Sequence, residues 1–217
     1  MGKDKLQEQW ASLRREQILD AAARVFSERG FHQARSRDVA EEAGVSNGTV
    51  YNYFKSKEDI LLGLLDRLNE TANREAQMTA LVDGDFRTMA ETLLAHRLEV
   101  LWKEQALLRA VLPELLSNQA MREDYFSRIV GPSLALATSA FEAMREAGQI
   151  NTEDAALTVR LVAGSVVGVL LLRLLGDEVL EEKRADLPKA WGKLLFEPLW
   201  NGQAKNRKGG RKERTSD

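Results

Sequence analysis

Two tyrosines and several small polar residues are concentrated in residues 44–61, which read GVSNGTVYNYFKSKEDIL. Tyr51 and Tyr53 are two of only three tyrosines in a chain with 6% aromatic residues. A tyrosine ring can pack on a sugar or a thymine methyl group, and its hydroxyl can bond to a phosphate oxygen. The stretch is therefore typical of a DNA-contacting surface. The alternative is that the aromatic rings belong to the core and that the nearby lysines form a solvated rim.

Two short helices joined by the turn AGVS would position these side chains. The first ends at Gly44, and Ser46 offers a hydroxyl to cap the second, from about Asn47 to Phe54. Val50 and Phe54 then point inward, whereas four other side chains of the second helix can project outward: Asn47, Thr49, Asn52 and Tyr53. This spacing is that of a helix-turn-helix, in which the second helix enters the major groove of DNA.

The rest of the pattern predicts an all-α fold. An amphipathic helix from Trp10 to Arg29 comes first, with Gly30 in position for a left-handed C-terminal residue. A helix capped by Ser56 is expected to continue to about Leu81. Further helical periodicity covers 85–103, 105–117, 119–147 with a kink at Gly131 and Pro132, a helix capped near Asn151 that ends at about Leu175, and 188–200. Because no segment alternates with a period of two, no sheet is expected.

Charge divides the 217 residues into three parts. Residues 1–57 hold 10 basic and 8 acidic side chains, residues 58–202 hold 15 and 23, and residues 203–217 hold 6 and 2. A basic head favours a polyanionic partner, whereas an acidic body suits another task. We therefore expect a helix-turn-helix DNA-binding domain over 1–57, a helical domain with a different task over 58–202, which the resemblance described below implies is ligand binding and dimerisation, and a mobile basic tail over 203–217.

Several function classes find little support in the sequence. The chain has no cysteine and only two histidines, which excludes a thiol nucleophile, a thiolate metal site and a multi-histidine metal site. It contains neither a Gly-rich phosphate loop nor a G-x-S-x-G motif, so no enzyme, catalytic residue, cofactor or metal is expected. The N-terminus has no apolar signal core, and the apolar run Val162–Leu172 is too short to span a bilayer. We expect a cytoplasmic protein without a membrane partner, in which that run forms a buried helix.

Over about residues 12–65, the chain closely resembles the DNA-binding region of TetR-family transcriptional regulators. The resemblance rests on RREQILDAAARVFSERGF and RDVAEEAGVSNGTVYNYFKSKEDILLGLL. It implies an N-terminal three-helix helix-turn-helix domain joined to a helical effector-binding and dimerisation domain. The implied function is that of a repressor that a small, largely apolar effector releases from a palindromic site on double-stranded DNA. A helical DNA-binding protein without an effector is the alternative.

The resemblance also implies roles for individual residues. Base-edge or groove contacts would come from Arg37, Asn47, Gly48 and Thr49. Phosphate contacts would come from Ser46, Tyr51, Tyr53 and Lys57, with Asn52 projecting from the same helix and Arg14 or Arg15 near the DNA backbone. Where relatives often cap the second helix with Ser or Thr, this chain has Arg35, and Ser36 is the alternative cap at a shifted start.

The body of the chain offers candidates for a dimer interface and for an effector pocket. A homodimer is expected because one helix-turn-helix reads only a few base pairs. The closing helices supply small residues flanked by bulky apolar ones: Leu157, Leu161, Gly164, Ser165, Gly168, Leu172, Trp191 and Leu195. Apolar residues of the middle helices are the pocket candidates: Trp102, Val111, Phe126, Ile129, Val130 and Phe141. For both sets, packing within the core of one chain is the alternative.

Overall fold

In a computed structural model, residues 2–83 and 85–199 are described, and within these ranges the chain contains helices and no strand. The predicted all-α fold is therefore confirmed. Twelve α-helices and one π-helical segment are present in the described part. They are α1 Gly2–Arg29, α2 Ser36–Glu42, α3 Asn47–Tyr53, α4 Lys57–Asn69, α5 Thr71–Asp83, α6 Phe86–Lys103, α7 Gln105–Ser117, α8 Gln119–Tyr125, the π segment Phe126–Val130, α9 Gly131–Glu146, α10 Ala155–Leu174, α11 Glu178–Glu182 and α12 Leu187–Phe196.

The described residues form two compact units, and neither follows the chain continuously. The first unit contains residues 2–72 and 100–132, and the second contains residues 73–99 and 133–199. This division is one of packing. The predicted functional division at residues 57 and 202 is a separate matter and stays a prediction. The predicted tail 203–217 lies outside the described residues.

The N-terminal bundle, helices α1–α4, encloses an apolar core to which each of the four helices contributes. The apolar periodicity of α1 buries Ile18, Leu19 and Phe26 completely, and the rings of Phe26 and Phe31 meet edge to face at 5.3 Å. Val39 of α2 and Val50 of α3 are likewise fully buried. Because full burial of such a side chain contributes about 1.5–3 kcal/mol, these residues fix how the short helices α2 and α3 pack on α1.

Two predicted helices are interrupted in the structure. The helix expected to run from Ser56 to Leu81 stops at Asn69, where Glu70 adopts the left-handed conformation with φ of 54°. Glutamate rarely adopts positive φ, so the residue types in this stretch do not indicate the break. The interruption predicted at Gly131 and Pro132 is present as the π segment, which ends just before α9. Proline lacks an amide hydrogen and is compatible with such a disturbed hydrogen-bond ladder.

The second unit is organised around an aromatic cluster. Phe86 of α6 meets Phe141 of α9 edge to face at 6.1 Å and Phe196 of α12 at 5.3 Å. Trp191 of α12 is 6% exposed, and its indole Nε1 donates to the Ser165 hydroxyl of α10 at 3.0 Å. These contacts attach both α10 and α12 to the core of this unit.

Helix α10 corrects one expectation, because the run Val162–Leu172 is not a buried helix. Of the residues of α10, only Ala155, Val159 and Leu170 are buried. By length and composition, α10 is the one described helix that could cross a membrane, with a mean hydropathy of 2.1 over its best window. The apolar residues that sequence patterning assigned to a core therefore lie largely on the surface of a single chain.

Candidate nucleic-acid interface

Helix α3 begins where the sequence predicts, because Ser46 caps it. The Ser46 hydroxyl accepts a hydrogen bond from the Thr49 amide at 3.0 Å and lies 2.8 Å from the Thr49 hydroxyl. Gly44, in the preceding turn, has φ of 64°, a conformation that favours glycine. The turn AGVS therefore ends α2 and starts α3 with local interactions alone.

The turn between α2 and α3 is also attached to α1. The Gln17 side-chain amide donates to the Ala43 carbonyl oxygen at 2.6 Å, and Arg24 forms an ion pair with Glu42 at 2.6 Å. These contacts join residues 18 to 26 positions apart in the chain. Sequence reasoning did not identify them, since local patterns do not indicate contacts between residues this far apart in the chain. They hold the helix-turn-helix at a fixed angle on α1.

The two faces of α3 differ as the predicted pattern requires. Val50 and the following Phe54 are 0% and 2% exposed and attach the helix to the bundle. The predicted contact residues of the other face are all at least partly accessible: Ser46, Asn47, Gly48, Tyr51 and Asn52 are exposed, and Thr49 and Tyr53 are half-buried. The bundle therefore presents a polar surface on the helix that a helix-turn-helix inserts into DNA.

Gly48 has no structural reason to be glycine within the chain. It lies in the first turn of α3 without positive φ, and the nearest atom to an added Cβ is the Ser46 hydroxyl oxygen, 3.7 Å away. Glycine in a helix is less favourable than alanine by roughly 0.5–1 kcal/mol. The fold therefore does not require glycine at position 48, and the groove contact predicted for Gly48 stays a prediction.

Helix α2 contributes Arg37 and begins one residue later than Arg35. Arg37 is exposed, and its guanidinium lies 3.7 Å from Glu41, a solvated pair that leaves the side chain available to another partner. Arg35 occupies the N-cap position without a side-chain cap, since arginine has no acceptor. Its amide instead donates to the Asp38 carboxylate at 2.8 Å, so Ser36 is the first helical residue rather than the cap.

Lys57 has an internal role that sequence reasoning missed. Its ammonium donates to the carbonyl oxygens of Phe31 at 2.8 Å and Ala34 at 3.1 Å, and it lies 4.2 Å from the centre of the Phe31 ring. The ammonium therefore holds the connection between α1 and α2. Because an ammonium has three donors, one remains for the predicted phosphate contact. The contact with phosphate stays a prediction.

We expect Lys57→Ala to lower the free energy of unfolding by about 2 kcal/mol, because it removes hydrogen bonds from a charged donor to two carbonyls. If Lys57 also contacts a phosphate, the variant should reduce the slope of log affinity against log salt by about one. Urea unfolding and DNA titrations at several salt concentrations measure the two effects separately. Lys55→Ala is the control for stability, since Lys55 is exposed. An unchanged salt slope in Lys57→Ala would reject its phosphate role.

The arginines proposed near the DNA backbone differ in their surroundings. Arg14 donates to the Gln17 side chain at 2.9 Å. The Arg15 guanidinium lies over the Phe54 ring, 5.1 Å from its centre, and therefore beside the end of α3. The DNA-backbone contact of either arginine stays a prediction.

The first unit contains a cavity, but this cavity does not test the effector pocket that was predicted from six apolar residues. That cavity, of about 360 Å³, has a largely polar lining and includes only one of the six, Ile129; Arg15, Asp59, Asp66 and Arg128 also line it. Trp102, Val111, Ile129 and Phe141 are buried, Val130 is half-buried and Phe126 is 56% exposed. The predicted pocket therefore stays a prediction. Among the residues that the structure describes, no group of three or more His, Cys, Asp or Glu is placed to hold a metal ion.

The proposed dimer residues of α10 form an exposed apolar stripe. Leu157, Leu161 and Leu172 are at least 50% exposed, and a Cβ added at Gly164 or Gly168 would meet no atom within 4 Å. On α12 the outward-facing residue is Leu194, at 73% exposure, whereas Leu195 is half-buried. Trp191 and Ser165 bond to each other within the chain.

Comparison with known proteins shows a likeness to one family over the N-terminal region. The model of the bacterial regulatory proteins of the tetR family matches residues 18–64. A fatty acid metabolism regulator protein of Bacillus subtilis strain 168 is 54% identical over 48 residues, which are 22% of this chain and 25% of that protein. The aligned stretches cover only 25–29% of the first curated relatives. A longer and weaker match extends further, because UidR of Escherichia coli strain K12 is 26% identical over 164 residues, which are 72% of this chain and 79% of that protein.

Solved structures extend the likeness to most of the fold. The fatty acid degradation regulator FadR of Bacillus halodurans superposes with a TM-score of 0.67 at 25% identity, over 84% of this chain and 94% of that one. FadR of Bacillus subtilis, solved in complex with stearoyl-CoA, gives a TM-score of 0.66 at 23% identity, over 84% and 98% of the two chains. The arrangement of an N-terminal helix-turn-helix and a helical C-terminal region is thus shared.

Proposed function

We propose, because the chain belongs to the TetR family of bacterial regulatory proteins, that it represses transcription by binding a palindromic operator and is released by a small, largely apolar effector. The observation that carries this proposal is the geometry of α3. Its polar face is accessible, while Val50 and Phe54 anchor the opposite face in the bundle. The protein is then a soluble, cytoplasmic regulator rather than an enzyme.

The proposed parts of the chain have separate tasks. Residues 1–57 read DNA, residues 58–202 bind the effector and dimerise, and the basic tail 203–217 adds at most a modest electrostatic contribution to DNA binding. The proposed base-reading residues are Arg37, Asn47, Gly48 and Thr49, and the proposed phosphate-binding residues are Ser46, Tyr51, Tyr53 and Lys57. Asn52 completes the exposed face of α3.

A homodimer is part of the proposal because α10 exposes an apolar stripe along its length. Leu157, Leu161, Gly164 and Gly168 follow one another at spacings of three or four residues, so they share one face of the helix. Large exposed apolar patches on soluble proteins mark interaction surfaces. Two copies joined along α10 and α12 would supply the two helix-turn-helix units that half-sites about 34 Å apart, or a multiple of this, require.

Selection from a pool of random double-stranded DNA tests the DNA-binding part of the proposal. We expect the full-length chain to enrich a palindrome and to bind it at least about a thousandfold more tightly than bulk DNA. Selected sites that are not palindromic would contradict a sequence-specific dimeric regulator. An affinity that depends on salt concentration but not on DNA sequence would contradict it as well. Such a result would favour a nonspecific DNA-binding protein.

A separate titration tests the effector. Stearoyl-CoA is the first probe, because a protein of the same fold was solved with it. Release of the selected operator by stearoyl-CoA would support an acyl effector, with coenzyme A alone as the control. Mass spectrometry of the purified protein under native conditions identifies any other small molecule bound to it. Operator binding that no co-purified molecule or acyl-CoA changes would favour the alternative function, a DNA-binding protein without an effector.

A further inference from the structure

A buried carboxylate outside the helix-turn-helix contacts the connection that leads into it. Glu114 of α7 is 6% exposed, the only buried charged residue in the described part of the chain. Its Oε2 lies 3.0 Å from His32 Nε2, and its Oε1 accepts a hydrogen bond from the Asn118 side-chain amide at 2.8 Å. His32 lies between α1 and α2 and is itself exposed, with 75% of its side chain accessible.

Glu114 depends on this contact more than His32 does, because only Glu114 is buried. A carboxylate removed from water is stable only with hydrogen-bond donors, so Glu114 depends on both of its partners. An exposed histidine, by contrast, could be hydrated in any orientation. The contact therefore holds the connection against α7, because the buried Glu114 carboxylate needs a polar partner there.

The connection is rigid enough to transmit the position of His32. Its neighbour Phe31 is 3% exposed and packs on Phe26, and the Lys57 ammonium bonds to the carbonyls of Phe31 and Ala34. Helix α2 follows directly at Ser36 and packs against α3. A shift of His32 would therefore move α2, and with it the helix that presents the proposed DNA contacts.

A second contact joins the same region to the other end of α3. Arg128, in the π segment, lies 3.8 Å from Asp59, and Asp59 accepts a hydrogen bond from the Lys55 amide at 3.1 Å. Asn118 connects the two contact points, because it bonds to Glu114 and also caps α8 by accepting from the Met121 amide. The α7–α8 hairpin, defined here as residues 105–130, thus contacts the N-terminal bundle before α2 and after α3.

We propose that Glu114 is a positioning residue for DNA recognition: through His32 it sets the placement of α2 and α3, so the α7–α8 hairpin controls operator affinity without touching DNA. This inference rests on the proposed function. Arg128 supports the same placement more weakly, since its pair with Asp59 is long and solvated. A change in the position of α7 would alter DNA binding through this contact.

The test compares operator DNA with nonspecific DNA, using full-length variants. We expect Glu114→Ala and His32→Ala each to weaken operator binding about tenfold, within the usual range of coupling between sites. Binding to nonspecific DNA and the salt slope should stay unchanged, because no phosphate contact is lost. The double variant should be no weaker than either single variant, since both remove the same contact.

Two further variants separate positioning from a general loss of stability. His32→Gln keeps an amide donor for Glu114 and should restore operator binding, whereas Glu123→Ala removes an exposed carboxylate of α8 and should have no effect. His32→Ala changes an exposed residue, so it tests the proposal even if Glu114→Ala fails to fold. Wild-type operator affinity in His32→Ala, or equal losses on both DNAs, would overturn the proposal. Absence of selective binding by the wild-type chain would instead refute the proposed function.

Discussion

Gly48→Leu should weaken operator binding at least about a hundredfold while leaving the folded chain as stable as the wild type. The reason is that Gly48 is exposed on α3 and has open space around it, with only the Ser46 hydroxyl near an added Cβ. The larger side chain fits the free protein but would hold α3 away from the groove. Losing two or more base contacts, each worth about 1–3 kcal/mol, accounts for the expected change in affinity.

Gly48→Ala is the matched control because it adds a single methyl group. In the free protein, it should raise the free energy of unfolding by roughly 0.5–1 kcal/mol, the usual gain when alanine replaces a helical glycine. The operator affinity of Gly48→Ala should lie between that of the wild type and that of Gly48→Leu. Urea unfolding and operator titrations measure the two properties independently. Normal operator affinity in Gly48→Leu would mean that this face of α3 does not approach DNA.

Gly168→Trp should convert the proposed dimer into a monomer. Gly168 lies within the apolar stripe of α10, and apart from its chain neighbours and the backbone of its own helix, no described atom lies within 4 Å of an added Cβ. Tryptophan would therefore project from the subunit without disturbing its core, and would separate α10 from the partner's helix. Loss of the second half-site contact should reduce operator affinity by about a hundredfold or more, the range by which joining two binding modules raises affinity.

Light scattering measures the mass of the particle, and circular dichroism checks that the helices persist. Ser139→Trp on α9 introduces the same side chain at an exposed position outside the proposed interface and should remain dimeric. A second interface variant, Leu161→Arg, places a charge on the same stripe and should also give monomers. A Gly168→Trp protein with the mass of a dimer would exclude α10 from the interface.

The local features of the DNA-reading region were accessible from sequence because short-range interactions create them. Ser46 and Thr49 are three residues apart, so the cap that starts α3 depends only on neighbouring residues. The burial of Val50 and Phe54 follows from helical periodicity, and the bounds predicted for α6 and α7 match the structure within one residue. Gly30 follows the last residue of α1 with φ of 77°, as predicted from the ability of glycine to adopt the left-handed conformation.

Contacts between distant residues were decided only by the tertiary structure. His32 and Glu114 are 82 positions apart, and neither residue type nor local pattern indicates that one meets the other. Likewise, the residue type and position of Lys57 predicted a contact with phosphate. The packing of α4 brings its ammonium to the carbonyl oxygens of Phe31 and Ala34. Long-range contacts of this kind depend on how the helices pack.

The sequence alone determined that α10 is an apolar helix, and the tertiary structure decided which of its residues the chain itself covers. Apolar periodicity predicts which face of a helix is removed from water. It does not tell whether the core of the same chain or an oligomer interface covers that face, because both bury apolar surface. Within a single chain, Val159 is buried and Leu161 is 64% exposed, although both are aliphatic. The difference arises because the other helices of the second unit pack against only one side of α10.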